Sequence, residues 1–301
     1  MLSLKYKLLL LLLLCTPSLF SATKLIILGS GTPNPDPNRG GSAYAVLVNE
    51  VPYLIDFGPG VIRNGAALSS NWNGEYDAMN VDRYEHAFLT HIHSDHTAGL
   101  SDLMLTPWVM GRKNKLKLFG PAGLDKMASN IIEAYQEDIN YRIYGTQPAN
   151  KTGYQYKFTR LFEGVVYKDK NIMVEAFQVP HGSFNDAYGF KFTTADKVIV
   201  FSGDTGPSEK VLSHAKNADI LVHEVYSNAG FQEKTKDWQI YHQAHHTSTI
   251  EVGKIANKAK PKTLVLSHIL FWGSTPEDIL NEVKTQYSGT TVIAEDLMVI
   301  E

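Results

Sequence analysis

Thr90-His91-Ile92-His93-Ser94-Asp95-His96 follows an apolar run at residues 87–89 and decides the reading of this 301-residue chain. In a strand successive side chains alternate, so His91 and His93 share a face at its end, and the turn after them can bring Asp95 and His96 alongside. Imidazole nitrogen and carboxylate oxygen are the donors that zinc takes at roughly 2.0–2.2 Å. Four such groups within six residues can serve two adjacent ions. A single histidine is usually a core or surface residue and an isolated His-x-His pair says little, but the complete His-x-His-x-Asp-His order after a strand is a specific metal signature.

Working outward, short apolar runs bounded by turn residues read as strands at residues 25–28, 44–48, 53–57, 87–90, 116–119, 172–179, 188–192, 198–201, 220–222, 264–266 and 291–294. Helical patterns fall at residues 124–137, 209–216, 249–259 and 276–287. The last two have start signals: Ser248 stands three before Glu251, and Thr275 precedes Pro276. No linker or repeat interrupts the chain after Lys24, so residues 23–301 read as one domain. Intermixed strands and helices predict helices packed outside two central sheets, with the chemistry in loops at strand ends.

Further motifs recur in order: Ile27-Leu28-Gly29-Ser30-Gly31-Thr32-Pro33, Leu54-Ile55-Asp56-Phe57-Gly58, Val179-Pro180-His181-Gly182, Phe201-Ser202-Gly203-Asp204-Thr205, His223-Glu224, His246-Thr247-Ser248-Thr249 and Leu266-Ser267-His268. With the histidine motif they resemble the metallo-β-lactamase superfamily, in the branch that holds ribonuclease Z and a group of bacterial arylsulfatases. The resemblance spans nearly all of residues 23–301. It implies the αββα sandwich, an α/β fold of two mixed β-sheets with helices on the outer faces and a metal site along one edge. It also implies a ligand set: His91, His93 and His181 for one ion, Asp95, His96 and His268 for the other, and Asp204 between them. Taken singly, Asp204 reads equally as a turn residue and His181 as a loop histidine.

Two ions, zinc by expectation with Mn2+ or Fe2+ as alternatives, would supply a nucleophile from water near neutral pH. Asp95 is a candidate proton acceptor as well as a ligand. The resemblance gives His246 and Glu224 as the pair that protonates the leaving group. The structural alternative is that Glu224 caps or pairs locally while His246 joins a surface cluster with His242 and His245. Asp56 reads as a hydrogen-bond partner of a ligand histidine or as a turn residue. The segment from Pro33 to Gly41, with Asp36 and Arg39, is a candidate border of the substrate cleft, and Trp108, Phe184 and Trp272 are candidate walls.

The chain's first stretch differs in kind. Lys5 and Lys7 precede an unbroken leucine run at residues 8–14 and then Cys15, Pro17, Ser18, Ser21 and Ala22, the layout of a cleaved secretory signal over residues 1–22. Its apolar core is shorter than the roughly 20 residues a spanning helix needs, so no stable membrane anchor is expected. Cys15 is the only cysteine, which leaves the remainder without disulfides or thiolate ligands. That remainder carries 26 Lys+Arg against 31 Asp+Glu, a formal charge of −5.

These features predict a periplasmic or secreted dinuclear hydrolase acting on a small ester-type substrate, with aryl sulfate or phosphodiester favoured. Lactone or carboxylic ester hydrolysis and ribonuclease Z-like phosphodiester cleavage are the alternatives. From another class, an iron-dependent oxidoreductase on the same fold fits the same donor types. No nucleic acid partner is expected, because the balance is acidic and the interval from His181 to Asp204 leaves no room for the long arm of bacterial ribonuclease Z. A homodimer is a further expectation.

Overall fold

The computed structural model describes residues 22–301, so the expected signal, save Ala22, lies outside the described residues. The first half of the chain runs β1 (Lys24–Gly29), β2 (Ala43–Val48), β3 (Val51–Ile55), α1 (Val61–Ala67), β4 (His86–Phe88), α2 (Ser94–Thr97), α3 (Leu100–Val109), β5 (Leu116–Gly120), α4 (Leu124–Ala134), α5 (Gln136–Tyr144) and β6 (Tyr156–Arg160). The second runs β7 (Gly164–Lys168), β8 (Met173–Gln178), β9 (Tyr188–Thr193), β10 (Val198–Phe201), α6 (Glu209–His214), β11 (Ile220–Tyr226), α7 (Asn228–Gln232), α8 (Lys236–His245), α9 (Thr249–Ala259), β12 (Thr263–Leu270), α10 (Pro276–Lys284), β13 (Thr291–Ile293) and β14 (Val299–Ile300).

The strands form two seven-stranded mixed sheets, ordered β14-β1-β2-β3-β4-β5-β6 and β13-β12-β11-β10-β9-β8-β7. Alternation along the strands builds three apolar layers. Leu25 and Ile27 of β1 face inward, with Phe88, Phe190, Phe192 and Phe201 filling the space between the sheets. Ile26 and Leu28 face outward onto Val61, Leu103 and Leu124 of α1, α3 and α4. On the other side Leu221 and Leu264 pack on Val211, Val252 and Ile279 of α6, α9 and α10. Four layers follow, helix, sheet, sheet and helix, as the αββα expectation requires. Phe88 is central: it stacks on Phe119 at 4.6 Å and meets Phe192 edge-on at 5.5 Å.

The edge strands β6, β7 and β14 are absent from the sequence reading, because none carries a run of buried residues. The helix expected at 124–137 is two helices, broken at Tyr135. Helix α3 holds Pro107 in its interior, which a reading by pattern rejects. The start signals at 248 and 275 are real: the Ser248 hydroxyl accepts from the Glu251 amide, and Thr275 forms a capping box with Asp278.

In each sheet one half runs parallel: β3 to β6 in one, β10 to β13 in the other. Parallel strands deliver their carboxyl ends to one edge, where open α/β sheets hold ligands. Asp56 follows β3, His91 follows β4, Asp204 follows β10, and His268 lies near the end of β12.

Candidate metal centre

Each side chain of the site is set by a local device. His91 and His93 leave β4 in extended backbone, and α2 begins directly after His93, folding Asp95 and His96 back onto them. Gly58 allows this return, because a Cβ there would lie 2.2 Å from the Asp95 carbonyl oxygen. Asp204 follows Gly203, whose φ of 60° and close approach to the Tyr188 carbonyl leave no room for a side chain. His268 occupies a register shift of β12, since Ser267 pairs with Glu224 and Ile269 with Val225. The bulge turns the imidazole into the site, at the cost of a left-handed backbone with φ 47°.

All seven residues of the expected ligand set converge. One donor atom each from His91, His93, His181 and Asp204 lies within 4.8 Å of the others, and the same holds for Asp95, His96 and His268 and for Asp204, His246 and His268. His91 Nε2 stands 2.9 Å from His93 Nδ1, which stands 3.2 Å from His181 Nε2. The Asp204 Oδ2 atom is 3.8 Å from His91, 3.5 Å from His96 and 3.4 Å from His268. It therefore faces both groups. Only His93 is half-exposed; the other six are buried.

Burial, reinforced by neighbouring imidazoles, pushes His91 well below its ordinary pKa, lowers His93 and pushes His181 down to about 4. Their rings are held neutral, the state that offers a lone pair to a metal. His181 Nδ1 donates to the His245 carbonyl at 2.8 Å, and His91 Nδ1 lies 3.1 Å from Thr90 Oγ1, so the inward nitrogens are acceptors. Two acceptors, His91 Nε2 and His181 Nε2, converging beside His93 Nδ1 fit a cation.

The second group is held differently. His96 Nδ1 is 2.7 Å from Asp56 Oδ2, leaving its Nε2 without a hydrogen bond but 3.4 Å from Asp95 and 3.5 Å from Asp204. Burial disfavours a charged His96, yet Asp204, Asp95 and Asp56 outweigh it and raise the group well above its ordinary value. For Asp204 burial is likewise outweighed, by His268, His96 and His91, and the carboxyl falls well below its usual range. Clustered buried carboxylates call for positive charge from either protons or metal ions.

Asp56 is a hydrogen-bond partner of the site. It accepts from His96 and from both the amide and the hydroxyl of Thr90, at 2.7–3.0 Å. Glu224 and His246 adjoin the centre, with His246 Nδ1 3.1 Å from Glu224 Oε2 and the Thr247 amide donating to Oε1 at 2.7 Å. Burial and the charge of Asp204 raise Glu224 well above the carboxylate range, and burial pushes His246 down to about 4. A neutral pair sharing one proton satisfies both. His246 is buried rather than part of a surface cluster.

A cleft of about 800 Å3 opens beside Asp95 and is bordered by the Pro33 to Gly41 loop. Arg39 of that loop is tied to Ser30 and the Ala294 carbonyl. Phe184 lies against the His93 ring at 4.5 Å, and Trp272 against His242 at 4.4 Å. Trp108 is no cleft wall: it is buried in the layer outside the first sheet. The sequence reading missed Thr90, whose hydroxyl links His91 to Asp56, and α8, whose residues frame His181.

The family model described as a beta-lactamase superfamily domain matches residues 52–269. A ribonuclease Z of Mycobacterium bovis is 28% identical over 291 residues, covering 92% of this chain and 98% of that protein. Among solved structures, a metallo-β-lactamase fold protein of Bacillus subtilis superposes with a TM-score of 0.71 at 20% identity, covering 93% of this chain and all of that one. The short form of human tRNase Z superposes with a TM-score of 0.68 at 20% identity, covering 92% and 98%. The expectation that nucleic acid is no partner is overturned by this likeness to ribonuclease Z along nearly the whole chain. The physical flaw lies in the charge argument: a formal balance averages over the surface, whereas the field that meets a polyanion is local, and bound cations change it.

Proposed function

The chain belongs to the metallo-β-lactamase superfamily, and on that premise we propose that this metal-dependent hydrolase is a dinuclear zinc phosphodiesterase of the ribonuclease Z kind. The observation that carries the proposal is the shared position of Asp204, facing two donor groups beside the Glu224–His246 pair. His91, His93 and His181 would hold one ion, Asp95, His96 and His268 the other, with Asp204 common to both. When bound, two such ions supply a nucleophile from water near neutral pH and offset charge on the substrate phosphate.

The chain's own residues do the rest. Asp56, Thr90 and the His245 carbonyl fix the tautomers of His96, His91 and His181, so that each ring keeps its lone pair inward. His246, oriented by Glu224, delivers a proton to the departing oxygen, and Asp95 is positioned to accept one as well as to bind. Phosphodiester cleavage takes precedence over aryl sulfate, lactone and carboxylic ester hydrolysis because the full-length relatives are ribonucleases by name.

The test is a panel of bis(p-nitrophenyl) phosphate, p-nitrophenyl sulfate, p-nitrophenyl phosphate, a lactone and a carboxylic ester with zinc-loaded protein. Phosphodiester turnover that is lost in His93→Ala supports the reading. Turnover of sulfate or lactone alone refutes it.

Export to the periplasm or beyond is part of the same proposal, supported by Lys5, Lys7 and the leucine run at residues 8–14. Among the described residues no helix is long and apolar enough to cross a membrane. N-terminal sequencing of protein from a periplasmic or culture fraction, with cleavage near Ala22, checks it.

A further inference from the structure

Helix α8 carries an aromatic stripe. Trp238, Tyr241, His242 and His245 stand at i, i+3, i+4 and i+7, the spacing of one helix face. Trp238 stacks on His242 with centroids 5.5 Å apart, and Tyr241 stacks on His245 at 4.1 Å. At its inner end the stripe meets the candidate metal centre: the His245 ring lies 5.1 Å from the His181 ring, and the His245 carbonyl oxygen accepts a hydrogen bond from His181 Nδ1. At its outer end it opens to solvent, with Trp238 55% and Tyr241 37% exposed. Such rings normally seek burial, so a solvent-facing tier built onto a site implies a flat partner.

We propose that Tyr241 forms the stacking face for the nucleobase next to the scissile phosphodiester, with Trp238, edge-on to it at 5.6 Å and 87°, as the wall beside that face. The inference rests on the phosphodiesterase reading and names its substrate as single-stranded RNA. From Tyr241 the path to His181 is two ring-to-ring steps, of 4.1 and 5.1 Å, comparable to the reach of one nucleotide from phosphate to base. Burial raises the pKa of the Tyr241 hydroxyl, and the carboxylates of Asp204 and Asp95 add to the rise, so the ring lies within the field of the centre. Lys234 sits 4.7 Å over Trp272, which packs on His242 of the same stripe, and supplies positive charge for a backbone phosphate. Asp237, on the same helix, is the opposing charge. Base stacking on exposed rings is worth about 1–3 kcal/mol per base and tolerates any base, which suits a shelf without hydrogen-bonding pockets.

The experiment compares binding of a methylenephosphonate-linked uridine dinucleotide, which resists hydrolysis, with that of its abasic counterpart. Zinc-loaded wild-type, Trp238→Ala, Trp238→Phe and Tyr241→Leu proteins are each confirmed folded by circular dichroism and by zinc content. The wild type is expected to favour the base-bearing ligand about tenfold or more, Trp238→Ala and Tyr241→Leu to lose most of that preference, and Trp238→Phe to keep it. Equal binding of the two ligands by the wild type overturns the proposal. So does equal weakening of both ligands in the variants, or loss of a dimer in sedimentation without a base effect. Failure of the underlying reading shows separately, as no turnover of uridylyl-uridine while the base-dependent difference persists.

Discussion

Replacing Asp56 with asparagine probes how the centre is supported. Asparagine keeps the volume and tolerates the left-handed backbone at φ 56°, so the fold is left in place. What changes is charge and acceptor capacity. Asp56 accepts from His96 at 2.7 Å and from Thr90 at 2.8–3.0 Å, whereas an amide offers one acceptor oxygen and turns a competing donor toward one of them. Loss of an outer partner of a ligand histidine weakens metal binding about 10- to 100-fold, or roughly 1.4–2.7 kcal/mol. An ion at Asp95, His96 and His268 would take the full effect. An ion at His91, His93 and His181 would feel Asp56 only through the Thr90 hydroxyl, and its affinity would fall less. Competitive zinc titration against a chromophoric chelator resolves the two affinities. An unchanged pair of affinities, or an equal loss in both, would show that Asp56 does not act through His96.

Glu224→Gln removes the carboxyl that orients His246, and kcat on a phosphodiester with a poor leaving group falls about 100-fold or more, with a smaller loss on p-nitrophenyl esters, whose leaving group needs less protonation; equal losses on both would contradict proton delivery. His86 is buried, and its Nδ1 has no partner among the described residues. Burial, with Lys117 adding, pushes it from 6.5 to about 4. Because the unfolded chain binds the proton first, stability is intact above pH 6.5 and falls as pH drops toward 4, by about 2 kcal/mol at pH 5; urea unfolding of His86→Phe shows a lower stability at pH 7 but a flatter acid slope if this holds. Buried Arg112 donates to the carbonyl oxygens of Tyr84, Leu103, Met104 and Gly153. Arg112→Met removes these hydrogen bonds at about 1 kcal/mol each, so a loss below about 2 kcal/mol in urea unfolding would count against that role.

The residues of the candidate centre were legible because chemistry concentrates them: His91, His93, Asp95 and His96 fall within six positions, and His181, Asp204 and His268 recur in family order. The core strands were legible because layers between sheets leave unbroken apolar runs such as those of β1 and β10. The edge strands β6 and β7 were not, since their residues are half-exposed and lack the alternation that a covered face imposes. Helix α8 escaped for a related reason: Trp238, Ile240 and Tyr241 remain in solvent, so no apolar stripe faces a core. Thr90 gave no signal because a threonine at a strand end is common, and only the fold reveals its contacts with Asp56 and His91. The partner expectation failed because composition reports total charge and is silent on where charge is placed.

Asp204 stands where two metal ions would share it. A crystal structure of the zinc-loaded protein with anomalous scattering at the zinc edge tests it directly. Two peaks about 3.5–4 Å apart are expected, one among His91, His93 and His181, the other among Asp95, His96 and His268, with the Asp204 carboxylate touching both. A single peak, or two peaks of which Asp204 touches at most one, would contradict that sharing.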